Sequence, residues 1–339
     1  MRAQEPGVIV SQPDWAALNL IGRSPAFMEA LTLLQQCAVT DATVLLCGET
    51  GTGKDLAARA VHYLSERRSG PFVPINCGAL PDSILEGELF GHTRGAYTDA
   101  KTGSRGVIGL AQGGTLFLDE IDSLSLRAQA AILRFVQDRS YRPLGSTRIE
   151  QADLRLVTAT NADLDALAHE GRFRQDLLYR IDVLSVLMPP LRHRDGDAVL
   201  LAQAFVQRLV CQYRTGPRVL ARASIEQLRE SSPWPGNVRE LEHRVHRAFL
   251  LAKGESIDLQ LGPPVAAAPT VAFAAATFAD AKAQAICEFE RRYVRDVLER
   301  AGGNVSLAAR LAGKERSRFG RLVRKYGLQP ATPGLLAGD

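Results

Sequence analysis

The sequence has no apolar run near the length of a membrane span, and its N-terminus has no basic stretch followed by a short apolar one. Neither a transmembrane helix nor a secretory leader is expected, and a membrane partner is excluded on the same ground. The five cysteines, Cys37, Cys47, Cys77, Cys211 and Cys287, are odd in number and scattered. They form no CxxC pair and no cluster with metal-ligand spacing. That pattern excludes a disulfide scaffold or a zinc ribbon and points to reduced thiols in a cytoplasmic compartment. Charge of one sign is not in excess either. A net charge of +4 over 339 residues is too small to demand a polyanionic partner, so the distribution of charge matters more than its sum. No internal repeat is visible. What is present is a balanced globular composition, 46% apolar, able to bury a core across two or three folding units.

Met1 to Leu18 is mixed, carries two prolines and reads as an extension; structured sequence begins near Ile21. From there short β-rich runs alternate with helix-length stretches, the pattern of a mostly parallel α/β sheet covered by helices. The strands predicted are Thr43–Cys47, Phe72–Asn76, Thr115–Leu118, Leu154–Thr160 and Val183–Leu187, all apolar enough to be buried on both faces. After Pro189-Pro190 the strand signal stops, and Leu191 to Ile257 reads as helical throughout. An Ala/Pro-rich segment follows Gly262-Pro263-Pro264, and a compact helical unit comes last. The expected divisions are an extension (1–18), an α/β subdomain (19–190), a helical lid (191–261), a linker (262–279) and a terminal helical domain (280–329).

Gly48-Glu49-Thr50-Gly51-Thr52-Gly53-Lys54 follows an apolar strand and precedes a helical run from Leu56 to Leu64. Glycines let backbone amides turn toward a phosphate chain, the helix N-terminus adds its dipole, and Lys54 places a charge on the β- and γ-phosphates. The residue after the lysine is usually Ser or Thr, whose hydroxyl touches Mg²⁺; here it is Asp55. A second apolar strand ends in Asp119-Glu120. Asp119 is suited to hold Mg²⁺ through its water shell, and Glu120 to polarise an attacking water. Together the two motifs predict an ATPase with ATP and Mg²⁺ as its cofactors.

The segment from about Leu20 to Lys253 resembles the AAA+ domain of bacterial sigma-54-dependent activators, the enhancer-binding proteins of the NtrC type. Gly48–Asp55 is similar to that family's GESGTGKE, which also carries an acid after the lysine. Glu88-Leu89-Phe90-Gly91-His92 and Gly95-Ala96-Tyr97-Thr98-Asp99-Ala100 resemble its ELFGH and GAFTGA signatures. The resemblance implies that Gly95 to Ala100 contact sigma-54. Tyr97 stands where the family has Phe, and Asp99 where it has Gly, which replaces a residue free to adopt positive φ by a charged one. The resemblance further implies that Asn76 holds and releases the catalytic Glu120, and that Asn161 after Thr160 is a sensor. It makes Arg174 and Arg180 arginines donated across a subunit interface, and Arg239 of the Trp234–Leu241 run a lid sensor facing the nucleotide.

Gly302 to Gly313 reads as one short helix stopped by glycine, and Glu315 to Tyr326 as the next, with Phe319, Leu322, Val323 and Tyr326 on one face. Ile286, Phe289, Tyr293, Val294, Val297 and Leu298 start the unit at helical spacing. Two short helices about a glycine suit helix-turn-helix geometry. Seven basic residues against one acid lie between Arg310 and Lys325. The unit resembles the Fis-type domain that ends many family members, with two departures: Lys314 where an apolar residue is common, and Gly320 inside the second helix. Arg316, Ser317, Arg318, Arg321, Arg324 and Lys325 are the candidate DNA contacts.

The fold class expected is therefore α/β, an AAA+ P-loop ATPase with a parallel sheet sandwiched by helices and a helical lid, plus a small all-α Fis-type helix-turn-helix domain. The resemblance implies an activator that binds enhancer DNA and assembles into a ring, commonly a hexamer. Such a ring uses ATP hydrolysis to open the closed complex of sigma-54 RNA polymerase holoenzyme. With no sensing domain ahead of Ile21, control by a regulatory protein acting in trans is expected. A different reading keeps the AAA+ domain only as an oligomerising module of a DNA-binding regulator, and Asp99 is the feature that leaves it open. A replication initiator shares the ATPase core but leaves the Glu88–Ala100 block without a purpose.

Overall fold

The computed structural model describes residues 13–96, 103–230, 233–259, 287, 290–291 and 293–327. The chain divides into two compact units, Met1–Val265 and Ala266–Asp339.

In the first unit, α1 (Pro25–Ala38) begins with Ser24 at the N-cap and a proline at its first turn, where the missing N–H costs nothing. It buries Phe27, Leu31 and Leu34 against β1 (Val44–Cys47). Then follow α2 (Lys54–Tyr63), β2 (Phe72–Asn76), α3 (Asp82–Phe90), α4 (Gly106–Leu110), β3 (Thr115–Asp119) and α5 (Leu126–Asp138). A small antiparallel pair, β4 (Ser140–Tyr141) with β5 (Glu150–Gln151), leads to β6 (Arg155–Thr160), α6 (Leu164–His169), α7 (Gln175–Ile181) and β7 (Leu184–Leu187). The five-stranded sheet has the order β2-β3-β6-β1-β7 and is parallel throughout. One apolar core fills each face, one around Leu116, Leu118 and Phe135, the other around Phe27, Leu46 and Val61. This is the doubly covered parallel sheet expected of the AAA+ class. All the crossovers deliver the C-terminal strand ends to one edge, where α/β folds bind ligands.

Two readings from the sequence need correction. Residues 13–18 are not a bare extension, because Trp15 and Leu18 pack against the core of α1 and β1. Two isolated large side chains give no periodic signal yet still bury. The segment after Pro190 is also not wholly helical. It holds α8 (Asp197–Tyr213), α9 (Arg222–Arg229) and α10 (Asn237–Leu251), but β8 (Val219–Leu220) pairs in parallel with β9 (Ser256–Ile257). Two-residue strands are too short for alternation to show, and Leu220 and Ile257 are held there by burial in the lid core.

Two buried arginines join elements that the sequence keeps far apart. Arg155, fully buried on β6, donates to the Cys37 carbonyl at 2.7 Å. A cation is favoured there by the carbonyl end of α1. Arg194 and Asp197, both buried, pair at 3.0 Å at the start of the lid. Asp197 also accepts from the Arg23 and Ser24 amides and from Ser24 Oγ, while Arg194 donates to the Ile21 carbonyl and stacks on Phe27. The lid is thus bolted to the chain leading into α1.

In the second unit, residues 293–300 are helical, followed by helices Val305–Leu311 and Arg316–Lys325. Asn304 caps the first of these two through the amides of Ser306 and Leu307. Val294, Val297, Leu298, Ala308, Phe319 and Val323 form the core. Tyr326, expected on the apolar stripe, ends the last helix and donates its hydroxyl to Glu290 at 2.6 Å. Ile286, Phe289 and the linker 262–279 lie outside the described residues.

Two stability outcomes follow from this packing. Asp197→Ala leaves Arg194 buried and unpaired and is expected to cost about 3–5 kcal/mol. The measurement is denaturant unfolding followed through the buried Trp234 of the lid, with Trp15→Phe removing the other indole; an unchanged midpoint would contradict it. At Gly320 an added Cβ meets nothing within 4 Å. Gly320→Ala should therefore stabilise the terminal unit by about 1 kcal/mol, read as a higher melting temperature.

Candidate functional site

Three neighbouring strand ends build a cleft of about 430 Å³ at the edge of the sheet, closed on one side by the lid. β1 runs into the P-loop, Gly48 to Lys54; β3 ends at Asp119, with Glu120 next; β6 ends at Thr160, with Asn161 next. Thr50, Gly51, Gly53, Lys54, Asp55, Asp119, Glu120 and Asn161 line it from the sheet subdomain, and Arg239 of α10 lines it from the lid.

The P-loop keeps its shape through internal and lid contacts. Thr52, buried, donates its hydroxyl to the Glu49 carbonyl at 2.8 Å, and the Lys54 ammonium donates to the Gly48 and Glu49 carbonyls at 2.7 and 3.1 Å. Gly51 has φ +79°, and a Cβ there would run into the Gly236 carbonyl oxygen of the lid. Only glycine allows both that backbone conformation and that approach. Burial lowers the Lys54 pKa against the opposing pull of Asp119, and burial likewise raises that of Asp119.

Asn76 lies opposite Asp119 across the β2–β3 ladder. Its amide oxygen accepts from the Gly78 amide at 2.8 Å, and the Glu120 carboxylate sits against the same glycine. Asn76 and Glu120 are thus brought together around Gly78, with no direct hydrogen bond between them. Glu120 itself has φ +53°, a costly conformation for a non-glycine residue. Asn161 donates to Thr50 Oγ1 at 3.0 Å, which connects the β6 end to the P-loop. Asp55 and Asp119 supply hard carboxylate oxygens on the cleft surface, the donor chemistry that Mg²⁺ requires. The donor set fits that ion.

Arg174 and Arg180 do not line the cleft. Arg174, at the N-cap of α7, makes a two-pronged pair with Asp176 at 3.0 and 2.7 Å, and Arg180 is exposed on the last turn of the same helix. Their segment is held by Gln129, fully buried, which donates to the Leu124 and Arg172 carbonyls and accepts from the Arg174 amide.

In the Gly95–Ala100 block, Gly95 and Ala96 are described, whereas Tyr97, Thr98, Asp99 and Ala100 lie outside the described residues. The described residues that flank the block are pinned. His92 and Ser104 exchange both backbone hydrogen bonds, and Gly91 and Thr93 bond to both sides of Leu144. In the second unit Arg316, Ser317, Arg318, Arg321, Arg324 and Lys325 are all exposed on the last helix. Lys325 pairs with Glu290 at 3.3 Å and Arg318 with Glu315 at 3.5 Å.

Several residues of the site escaped the reading of the sequence. Asn237, fully buried with φ +51°, donates to the Thr50 carbonyl at 3.0 Å and to Glu49 at 3.1 Å, and accepts from the Leu191 amide. Arg192 pairs with Glu49. Asp122 accepts from Thr160 Oγ1 at 2.6 Å. Asn237 stood in view beside Arg239 in the Trp-Pro-Gly-Asn run; Arg192 and Asp122 have no local signal.

Comparison with known proteins gives a consistent picture. Residues 20–187 match the family model of the Sigma-54 interaction domain, 192–270 that of the AAA+ ATPase lid domain, and 285–326 that of the bacterial regulatory protein, Fis family. The chain is 38% identical over 323 residues to the Regulatory protein AtoC of Escherichia coli K12, covering 94% of this chain and 70% of that one. It is 42% identical over 313 residues to the Transcriptional regulatory protein ZraR of Klebsiella oxytoca, covering 91% and 69%. Among solved structures it resembles NtrX from Brucella abortus in complex with ADP, with a TM-score of 0.68 and 30% identity over 92% of this chain and 69% of that one. NtrX in complex with ATP gives a TM-score of 0.67, also at 30% identity, over 91% and 69%.

Gly51→Ala is expected to weaken binding of a fluorescent ADP by about tenfold or more, given the 1–2 kcal/mol cost of left-handed backbone plus the clash. Circular dichroism should remain unchanged. Binding at the parent affinity would show that the positive φ at this position is dispensable.

Proposed function

Because the chain belongs to the sigma-54-dependent transcriptional regulators, with their AAA+ and Fis-type DNA-binding domains, we propose that it is an ATP-hydrolysing activator that remodels the closed sigma-54 polymerase complex from enhancer DNA. The observation that carries the reading is the meeting of Lys54, Asp119, Glu120 and the lid's Arg239 around one cleft.

In this reading the P-loop amides and Lys54 cradle the phosphate chain of ATP, and Arg239 reports its presence to the lid. Mg²⁺, held by Asp119 with Asp55 beside it, supplies charge neutralisation on the phosphates when bound. Glu120 takes the proton side of the reaction and orients water in line with the γ-phosphoryl group. Its positive φ aims the carboxylate from the end of β3, and Asn76, sharing Gly78 with it, positions it through the neighbouring turn. Arg174 and Arg180 lie outside the lining of their own cleft, which suits donation to the site of a neighbouring subunit in a ring, a hexamer in the family's usual form. The charge they bring would neutralise what builds on the γ-phosphoryl group.

The segment that includes Tyr97 contacts sigma-54, and the residues on either side of it are pinned at His92–Ser104. On DNA, Arg316, Ser317, Arg318 and Arg321 supply the leading contacts from the start of the last helix, with Arg324 further along. Lys325, tied to Glu290, contributes less.

Glu120→Gln should retain ATP binding and lose turnover by at least about a hundredfold, since a positioned general base is worth 10²–10⁴. Colorimetric phosphate release checks it, and full activity would sink the assignment. A pull-down with sigma-54 in the presence of a transition-state analogue of ATP should recover a complex. Its absence would favour the reading in which the AAA+ domain only oligomerises. In DNA binding, Arg321→Ala should lower the slope of log K against log salt by about 1 if it contacts phosphate, whereas Lys325→Ala should barely change it.

A further inference from the structure

Glu49 belongs to the P-loop, yet it does not line the cleft. Its carboxylate turns outward to Arg192, which donates from both terminal nitrogens, at 2.8 and 2.6 Å, to the two carboxylate oxygens. Asn237 adds a third bond to the same carboxylate at 3.1 Å. The Arg192 hydrogen bonds, with Asn237 second, hold the Glu49 carboxyl down to about 2, so the pair is fully charged at any physiological pH.

Arg192 sits in the short 3-10 turn Leu191–His193, the first turn of the lid after β7 and the two prolines. The same P-loop residues bond to α10. Thr50 accepts from Asn237, and Gly51 accepts from the Val238 amide at 3.0 Å, one residue before Arg239. Residues 49–51, the first lid turn and the start of α10 are therefore one hydrogen-bonded unit. Within it the bonds differ in kind. Asn237 is fully buried, whereas the Arg192 and Glu49 side chains are 36% and 42% exposed. A pair at that exposure is screened by salt, which suits a contact made and broken on each cycle.

We propose that Arg192 is a positioning residue which, through Glu49, latches the lid onto the P-loop and so sets how long a nucleotide is held in the cleft. The latch rests on the nucleotide-site reading above. When the pair parts, the Arg194–Asp197 joint and the Asn237 and Val238 bonds still hold the lid, but its first turn loses the charged tie to the P-loop and Arg239 is held at the cleft less firmly. When it forms, the first lid turn is drawn onto Glu49, and the start of α10, bonded to the same carboxylate through Asn237, is held more firmly with Arg239 at the cleft. The device uses no atom that touches the phosphates, so it acts on residence time and not on the chemical step.

The test measures release of a fluorescent ADP from the full chain by stopped flow. In low salt, Arg192→Ala should release it about 3- to 5-fold faster than the parent, the range set by an exposed ion pair. Arg192→Glu, repelled by Glu49, should be faster still, and Arg192→Lys should recover most of the parent rate. In about 0.5 M salt, where charges are screened within a few ångströms, parent and Arg192→Ala should converge. A purely structural role predicts neither the rescue by lysine nor the convergence in salt. Equal release rates for parent, Ala and Glu variants would overturn the latch, as would a difference that salt leaves unchanged. If the parent chain binds no ADP at all, the nucleotide-site reading fails and takes the latch with it, an outcome distinct from binding with equal rates.

Discussion

The parallel pairing of β1, β3 and β6 is the constraint on which the rest of this molecule depends. Strand order and a common direction deliver the P-loop, the Asp119-Glu120 pair and Asn161 to one edge of the sheet. A change of register by one residue would turn Asp119 away from the cleft and invert the apolar faces that bury the strands. The two cores on either side of the sheet hold that register. The chemistry at the strand ends is therefore underwritten by residues with no chemistry of their own, such as Leu46, Leu116 and Leu156.

On that edge the lid adds what the sheet cannot. It is bound to the sheet subdomain by hydrogen bonds to the Thr50 and Gly51 carbonyls and by two ion pairs that differ physically. The buried Arg194–Asp197 pair, saturated with backbone donors from residues 23 and 24, is a permanent joint, since breaking a buried ion pair is costly. The contacts at Glu49 are partly wet and correspondingly labile. Arg239 follows two residues after Asn237, which bonds to both Thr50 and Glu49, so a change at the Arg192–Glu49 pair is felt where the lid meets the cleft.

Much of this was legible beforehand because it is local. The glycine spacing of the P-loop, the apolar run ending in Asp119-Glu120, and the five strands to within a residue or two at each end all depend on neighbours in the chain. The two short helices around Gly313 are of the same kind. What stayed hidden is long-range or too small to have a period. Arg155 sits in a strand that reads as apolar, because its partner carbonyls belong to α1, more than a hundred residues earlier. Gln129 looks like one more polar helix residue, yet it is fully buried and braces the backbone before Arg174. The β8–β9 pair joins two dipeptides with no alternation to detect. Glu49 reads in sequence as one more residue of the nucleotide loop, and only the fold shows that its carboxylate is turned toward Arg192.

The central claim is that hydrolysis in this cleft performs work on a sigma-54 polymerase complex. Its most direct test is promoter opening, followed by permanganate reactivity of unpaired thymines on a sigma-54 promoter that carries an upstream site for this protein. With the protein, holoenzyme and ATP present, the start-site region should become reactive. With a non-hydrolysable ATP analogue it should remain closed. Opening that proceeds equally well with the analogue, or no opening with ATP while the DNA site is fully bound, would contradict the account.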